Sequence, residues 1–310
     1  MPSGYLPVSH GHHIYYETHG QSHRKPVVIL HGGPGGGSDA ADRKVYDLKQ
    51  WYVIQFDQRG CGKSTPFASL EHNTTWDLIE DMEALRKHLD LDTWFIAGGS
   101  WGTTLGLVYA EQYPQRVTGL LLRGLCLCNE ASQKWLFEEG GASTIYPDEW
   151  EKFLSVIPKR LHHTGWRTIV RYFQKKLNGP DPQPYADAWW GWECHLAHLR
   201  PFHDRTTKKE ALALSKIENH YFIHDVWLQE NQIIKNAVAL RNIPITIVHG
   251  RYDMVCPLQG AFDFMEAAPH ARLIIIPDAG HASSEPGIAK GLRHAAHGMI
   301  GRRQTRKRRE

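Results

Sequence analysis

The chain has 310 residues, of which 41% are hydrophobic and 22% charged, as is typical of a soluble globular protein with one large domain or a core plus an insertion. The formal net charge is +3, but residues 302–310 hold six basic residues and one acidic residue, which leaves 30 basic and 32 acidic residues elsewhere. A near-neutral body excludes a generally basic surface for nucleic acid, and we interpret the basic tail as a solvated terminus.

Hydropathy and cysteine usage exclude further classes. No apolar run approaches the roughly 18–20 residues that a membrane span requires, and the first ten residues do not resemble a signal peptide. Five irregularly spaced cysteines without a C-x-x-C pair argue against a disulfide framework and a zinc site. We therefore expect no membrane association, no metal and no cofactor, and a reducing, cytoplasmic location.

Continuous apolar runs predict strands that are buried on both faces of a parallel sheet. The runs are Val27–Leu30, Tyr52–Phe56, Trp94–Ala97, Gly119–Leu122, Ile245–Val248 and Leu273–Ile276. Segments with helical periodicity lie between them, the clearest being Thr75–Leu89. Alternation of strand and helix predicts an α/β fold with a mostly parallel sheet.

A glycine-rich segment, His31–Gly37, follows the first of these runs. The segment does not match the G-x-G-x-x-G motif of a dinucleotide-binding loop, because the sixth position counted from Gly33 is Ser38. The alternative is a loop whose backbone approaches a substrate carbonyl closely. We therefore expect the Gly33 N–H to donate to an oxyanion.

The segment D-Q-R-G-C-G-K-S at 57–64 follows the second run. A Walker motif would require glycine where Asp57 stands. We interpret the segment as a structural turn in which Asp57 and Arg59 can bridge locally, and not as a site for Cys61 as nucleophile.

Residues 98–102, Gly-Gly-Ser-Trp-Gly, match the G-x-S-x-G pattern between the run Trp94–Ala97 and a predicted helix, Thr103–Tyr113. Strand, tight turn and helix is the geometry of a nucleophile elbow, in which the turn exposes the serine hydroxyl. The sequence therefore predicts Ser100 as a nucleophile and the backbone N–H of Trp101 as a second oxyanion donor.

The alternation of strand-like runs with helical segments stops after the fourth run and resumes near Ile243. Between them the sequence predicts helices without buried strands, at Trp150–Ile157, Gly165–Leu177 and Lys208–Glu218. We expect a core formed by residues 1–128 and 236–310, with a helical cap at 129–235.

A serine nucleophile requires a base and an acid that orients it. Asp253 follows the run Ile245–Val248, and His281 follows Leu273–Ile276, so both are expected at the sheet edge that carries Ser100. Asp278 competes with Asp253, but it is close in sequence to His281.

The motifs H-G-G-P-G-G-G, D-Q-R-G-C-G-K-S, G-G-S-W-G-T-T-L, G-R-Y-D-M-V-C-P and A-G-H occur in this order. Over residues 3–286 the chain resembles the proline iminopeptidases, serine peptidases of the α/β-hydrolase fold that act on peptides with a free N-terminal proline. The resemblance implies a triad of Ser100, Asp253 and His281. It implies that Glu193, in W-W-G-W-E, and Glu218, in I-E-N-H-Y-F, hold the substrate's amino terminus in a site walled by tryptophans.

The chain departs from this family at three places. Cys126 and Leu136 stand where the family has aromatic side chains that line the proline pocket. After Gly287 the family has a closing helix, whereas we expect a basic tail here. The substitutions at the pocket affect the predicted preference for proline and not the predicted hydrolysis. An esterase or amidase of the same fold is therefore the alternative. A catalytically dead scaffold that binds nucleic acid through the tail is disfavoured, and the oligomeric state is open.

Overall fold

The structure is a computed structural model that describes residues 2–300. The interpretation of the basic tail at 302–310 therefore lies outside the described residues. One mixed sheet of eight strands organises this part of the chain, in the spatial order β1-β2-β4-β3-β5-β6-β7-β8. The strands are β1 (Ser3–Pro7), β2 (His13–His19), β3 (Lys25–Leu30), β4 (Trp51–Phe56), β5 (Trp94–Gly99), β6 (Val117–Arg123), β7 (Ile245–Gly250) and β8 (Arg272–Ile276).

The sheet is parallel from β4 to β8 and antiparallel at one edge, where β2 pairs with β1 and with β4. The six predicted strands are confirmed, each within a few residues at its ends. The sequence analysis missed β1 and β2. In β1 exposed and half-buried residues alternate, which leaves no continuous apolar run to mark the strand.

Within residues 2–300, ten α-helices pack on and above the sheet, and the first of them, at 75–88, confirms a predicted helix. The helices are α1 (Thr75–His88), α2 (Trp101–Gln112), α3 (Glu130–Phe137), α4 (Pro147–Leu154), α5 (Trp166–Leu177), α6 (Gln183–Ala197), α7 (Lys208–Ile223), α8 (Gln232–Lys235), α9 (Leu258–Ala267) and α10 (Pro286–Ile300).

Successive residues of each central strand face opposite layers. Val27 of β3 packs with the α10 side chains, whereas its neighbour Val28 packs with those of α1 and α2. Both valines are fully buried. A strand covered by helices on both faces must be apolar at every position, which explains the continuous runs in the sequence.

The closing helix α10 corrects the expectation that the chain has no such helix after Gly287. It buries Ile288, Leu292, Ala296 and Met299, a helical stripe that was present in the sequence. Its last turn is held at the opposite end of the sheet from Ser100, because the Lys25 ammonium at the start of β3 donates to the Met299 carbonyl at 2.9 Å.

Helices α3 to α8 lie between β6 and β7, in the segment where the sequence predicted helices. Buried aromatic side chains join α3, α4, α5 and α6, with ring centroids 4.7 Å apart for Phe137 and Trp189 and 5.0 Å for Phe153 and Phe173. The division into a core at 1–128 and 236–310 and a cap at 129–235 stays a prediction. The aromatic packing fixes α6, the helix that carries Glu193.

The 57–64 segment is structural, but its charges do not bridge locally as expected. Arg59 extends to Asp81 of α1, with Nε–Oδ2 and Nη2–Oδ1 distances of 2.6 and 2.7 Å. Asp57 instead accepts hydrogen bonds from the backbone N–H groups of Ser38 and Lys63. The sequence analysis did not identify Asp81 as the partner of Arg59, because the two residues are far apart in the sequence.

Asp81→Asn should lower the free energy of unfolding by up to about 3–5 kcal/mol, because it removes the nearer of the two carboxylates that pair with the buried Arg59 guanidinium and leaves only Asp77, at 3.3 Å. Urea unfolding measures the change. Glu130→Gln removes the exposed Glu130–Lys134 pair and should leave the midpoint unchanged. Equal midpoints for both variants would refute a structural role for Arg59.

Candidate active site

Ser100 lies in a sharp turn between β5 and α2. It has φ 56° and ψ −126°, a left-handed conformation that is unfavourable for a residue with a side chain. The crowded backbone enforces the turn, because a Cβ at Gly98 would collide with the Gly102 carbonyl, and a Cβ at Gly102 with the Leu30 carbonyl. The side chain of Ser100 faces a cavity of about 380 Å³.

The loops after β7 and β8 bring Asp253 and His281 together. His281 Nδ1 lies 2.7 Å from Asp253 Oδ2, and His281 lines the same cavity as Ser100. The other oxygen of Asp253 accepts hydrogen bonds from the N–H groups of Val255 and Cys256. Burial opposes ionisation, yet His281 and these hydrogen bonds lower the pKa of Asp253 below its usual range. The carboxylate is therefore ionised at neutral pH and fixes the imidazole.

The competing acid, Asp278, lies in a different cavity, which it lines with Arg200 and Glu285.

A second histidine supports Asp253. His249, at the end of β7, lies with Nε2 3.4 Å from Asp253 Oδ2 and 2.7 Å from the Cys256 carbonyl. Its Nδ1 accepts from the Leu125 N–H, so the proton is on Nε2. Burial lowers the pKa of His249, and the ring is neutral at pH 7. Sequence reasoning missed it because a single histidine at a strand end carries no distinguishing pattern.

Arg123, at the end of β6, was also missed. Its guanidinium donates to the His281 carbonyl at 3.0 Å and fills the space beside Gly99, where a Cβ would collide with it. Its backbone carbonyl accepts from the Ser100 N–H at 2.9 Å. One residue therefore contacts both the serine turn and the histidine loop.

The glycine-rich loop passes directly against the serine. A Cβ at Gly32 would lie 3.2 Å from Ser100 Cβ, and the next residue, Gly33, has φ 111°. Gly33 lines the cavity. Trp101 is the first residue of α2, so its N–H has no acceptor within the helix. The two predicted oxyanion donors thus flank Ser100, and their roles stay predictions.

Glu193 of α6 and Glu218 of α7 line the cavity that contains Ser100 and His281. Their carboxyl groups are hydrogen-bonded to each other, and Glu218 accepts from Trp189 Nε1 at 2.7 Å. Burial raises the pKa of Glu218 to about 7. Burial and the charge of Glu218 raise that of Glu193 well above its usual range. Near neutral pH the two carboxyl groups share a proton.

Of the three tryptophans expected to wall the site, Trp190 lines the cavity. Trp189 is buried and orients Glu218, and Trp192 is buried among the aromatic side chains with its Nε1 donating to the Leu136 carbonyl. A run of neighbouring tryptophans on a helix points in several directions, so they cannot share one wall.

A family model described as the alpha/beta hydrolase fold matches residues 25–287. A proline iminopeptidase of Arabidopsis thaliana is 45% identical over 298 residues, which cover 94% of this chain and 77% of that protein. A proline iminopeptidase of Neisseria gonorrhoeae is 40% identical over 97% of this chain and 96% of its own length. The chain belongs to the proline iminopeptidase family. It is a hydrolase of the α/β-hydrolase fold, as the sequence motifs predicted.

Solved structures agree on the fold. The proline iminopeptidase of Mycobacterium smegmatis superposes with a TM-score of 0.66 at 18% identity, covering 96% of this chain and 99% of its own. An esterase of Exiguobacterium antarcticum superposes with a TM-score of 0.66 at 19% identity, covering 95% and 98%.

Within residues 2–300, no group of three or more histidine, cysteine, aspartate or glutamate side chains is arranged to hold a metal ion. No helix in the same part of the chain is long and apolar enough to cross a membrane.

Gly124 is a further constraint on the His281–Asp253 pair. It has φ 57°, and a Cβ there would lie 2.7 Å from His281 Cε1 and 3.1 Å from Asp253 Oδ2. The pair therefore occupies the space that a side chain at position 124 would need.

Gly124→Ala should lower kcat by about 100-fold, because a displacement of the imidazole by about 1 Å is enough for such a loss. Gly11→Ala is the matched control, since Gly11 also has a positive φ, of 76°, but open space around its Cβ. Both variants should lose about 1–2 kcal/mol of stability, and Gly124→Ala alone should lose activity. Undiminished kcat in Gly124→Ala would contradict the contact.

Proposed function

We propose that the enzyme releases N-terminal proline from peptides with a free amino terminus. The observation that carries this proposal is that two carboxyl groups, those of the half-buried Glu193 and the buried Glu218, share one cavity with Ser100 and His281. A hydrolase for neutral esters has no use for this pair. A substrate that carries a positively charged group into the same cavity would be bound by the pair.

In the proposed reaction His281 takes the proton of the Ser100 hydroxyl as its oxygen attacks the carbonyl carbon of the first residue. Because Nδ1 of His281 donates to Asp253, Nε2 is the free acceptor. The same imidazole then gives this proton to the departing amine of the second residue. Water, activated by His281, hydrolyses the acyl-enzyme and releases proline.

The negative charge on the carbonyl oxygen requires donors that are in place before the reaction. We assign this role to the N–H groups of Gly33 and Trp101. Trp101 is held by its indole, which donates to Gln58 Oε1 at 2.9 Å, and Gln58 Nε2 donates to the His31 carbonyl at 3.1 Å. This chain of hydrogen bonds ties the two donor segments together. Each preorganised donor is worth roughly 2.7–4 kcal/mol of barrier.

An N-terminal proline carries a secondary ammonium group with two N–H donors. Glu193 and Glu218 supply one acceptor each, and the buried surroundings strengthen charge-assisted hydrogen bonds. A peptide with an acylated amino terminus offers neither the charge nor the donors. The proposal therefore makes the enzyme an exopeptidase.

Glu193→Gln and Glu218→Gln should each lose about 30-fold or more in kcat/KM on proline p-nitroanilide, because a buried cation with one missing partner costs roughly 2–5 kcal/mol. Hydrolysis of p-nitrophenyl acetate should barely change. Both rates are measured on each variant, with Ser100→Ala as the inactive reference.

Equal losses on both substrates, with a lower melting temperature, would mean that the glutamates only brace their helices. Efficient cleavage of acetyl-proline p-nitroanilide by the unmodified enzyme would favour the esterase or amidase alternative.

The ratio of the two kcat/KM values should depend on pH. The raised pKa of Glu218, about 7, means that this carboxyl group gains its negative charge between about pH 6 and pH 8, while the raised pKa of Glu193 delays the second charge of the pair. The ratio of proline p-nitroanilide to p-nitrophenyl acetate hydrolysis should therefore rise between about pH 6 and pH 8. The triad affects both substrates and cancels in the ratio. A flat ratio would contradict binding of the ammonium group by this pair.

A further inference from the structure

Three cysteine side chains meet at one wall of the cavity. The Sγ atoms of Cys126 and Cys128 are 3.1 Å apart, and the thiol of Cys256 is hydrogen-bonded to that of Cys126. Cys126 and Cys256 line the cavity that contains Ser100, and Cys128 is buried behind them. The proposed reaction uses none of these thiols.

The backbone of Cys126 is fixed beside the nucleophile. Its N–H donates to Thr103 Oγ1 at 2.9 Å, and the same hydroxyl donates to the Ser100 carbonyl at 2.7 Å. The Cys126 carbonyl accepts from Thr104 Oγ1 at 2.8 Å. These hydrogen bonds keep Cys126 at the cavity wall. If its sulfur is modified, the backbone cannot shift to make room without disturbing the serine turn.

Cys126 has the features of a reactive thiol, which are exposure and a stabilised thiolate. It is partly exposed, whereas the other four cysteines are buried. Hydrogen bonds from Cys128 and Cys256 lower the pKa of the Cys126 thiol well below its usual range. By contrast, burial raises the pKa of Cys61 well above that range and the pKa of Cys194 to about 12.

We propose that Cys126 is a peroxide-sensitive modification site in the substrate cavity, and that Cys128 converts its oxidised form into a disulfide. The Cys126 thiolate attacks one oxygen of hydrogen peroxide, so that an S–O bond forms, the O–O bond breaks and hydroxide leaves as water after taking a proton. The Cys128 sulfur then attacks the Cys126 sulfur, the S–O bond breaks, and a second water leaves with the Cys128 proton. Two thiols are oxidised and one peroxide is reduced.

The disulfide alters the cavity wall. Its sulfur atoms must approach from 3.1 Å to about 2.05 Å, while Thr103 and Thr104 hold the Cys126 backbone. The two sulfur atoms therefore close a gap of about 1 Å between them, and the part of this movement made by Cys126 changes the wall of the cavity that contains Glu193 and Ser100, which we expect to lower activity by about tenfold to 100-fold. The loss of peptidase activity rests on the proposed function, whereas the sulfur chemistry does not.

Peptide mapping after treatment of the native enzyme with hydrogen peroxide tests the chemistry. Trypsin cuts the chain into a peptide at 124–134 with Cys126 and Cys128, and one at 252–272 with Cys256. We expect the 124–134 peptide to lose two hydrogen atoms and to regain them with dithiothreitol. In Cys128→Ser the sulfenic acid should persist and be trapped by dimedone at Cys126.

Activity on proline p-nitroanilide and p-nitrophenyl acetate is followed in parallel, each variant relative to its own untreated sample. Peroxide should inactivate the unmodified enzyme, dithiothreitol should restore it, and Cys126→Ser should resist. Cys194→Ser is the matched control, because Cys194 lines the same cavity without a neighbouring thiol, and it should behave as the unmodified enzyme.

Three results would overturn the proposal. A disulfide that links the 124–134 and 252–272 peptides would give the role of Cys128 to Cys256. First modification at Cys61 or Cys194 would remove Cys126 as the reactive site. Equal peroxide sensitivity of Cys126→Ser would show that the loss arises elsewhere. Because the mass measurement needs no substrate, failure of the proposed function would leave it unaffected.

Discussion

The close approach of main chains around Ser100 is the constraint on which the rest of the site depends. The serine turn fits between β3, β5 and α2 because no side chain stands at Gly32, Gly98 or Gly102. Gly124 leaves comparable room for the His281–Asp253 pair. The residues predicted to act in catalysis, which follow β3, β5, β7 and β8, can therefore meet in one place. The strain at Ser100, of order 1–3 kcal/mol, is offset by the packing of the surrounding sheet.

The carboxyl pair above this centre has a different physical character. Below it Asp253 is ionised and paired with His281, whereas Glu193 and Glu218 are two acids that burial keeps from both ionising. Such a pair is stabilised by a cation. The proposed specificity thus comes from the two acidic side chains on α6 and α7, whereas the proposed triad would act in the same way on substrates with and without a charged amino terminus.

Sequence reasoning predicted the parallel sheet, which the structure confirms, because buried strands have local signatures. It also predicted the positions of Ser100, Asp253 and His281 after strands of that sheet, and their catalytic roles stay predictions. It could not identify the roles of His249 and Arg123 or the Arg59–Asp81 pair, because the contacts of these residues depend on packing between segments that are distant in the sequence. The edge strand β1 lacks an apolar run, and the stripe of α10 was overlooked beside a basic tail. The prediction that three neighbouring tryptophans line the site was wrong for two of them for a related reason. The residue type alone does not show which way a side chain points from a helix.

The bond between Lys25 and the Met299 carbonyl places the last described turn of α10 at the start of β3. The parallel strands begin at that edge and end at the edge where Ser100, Asp253 and His281 lie. A handle attached at Ile300, the last described residue, would therefore lie at the side of the sheet opposite Ser100. Immobilised through that end on a solid support, the enzyme would present its cavity to the solution.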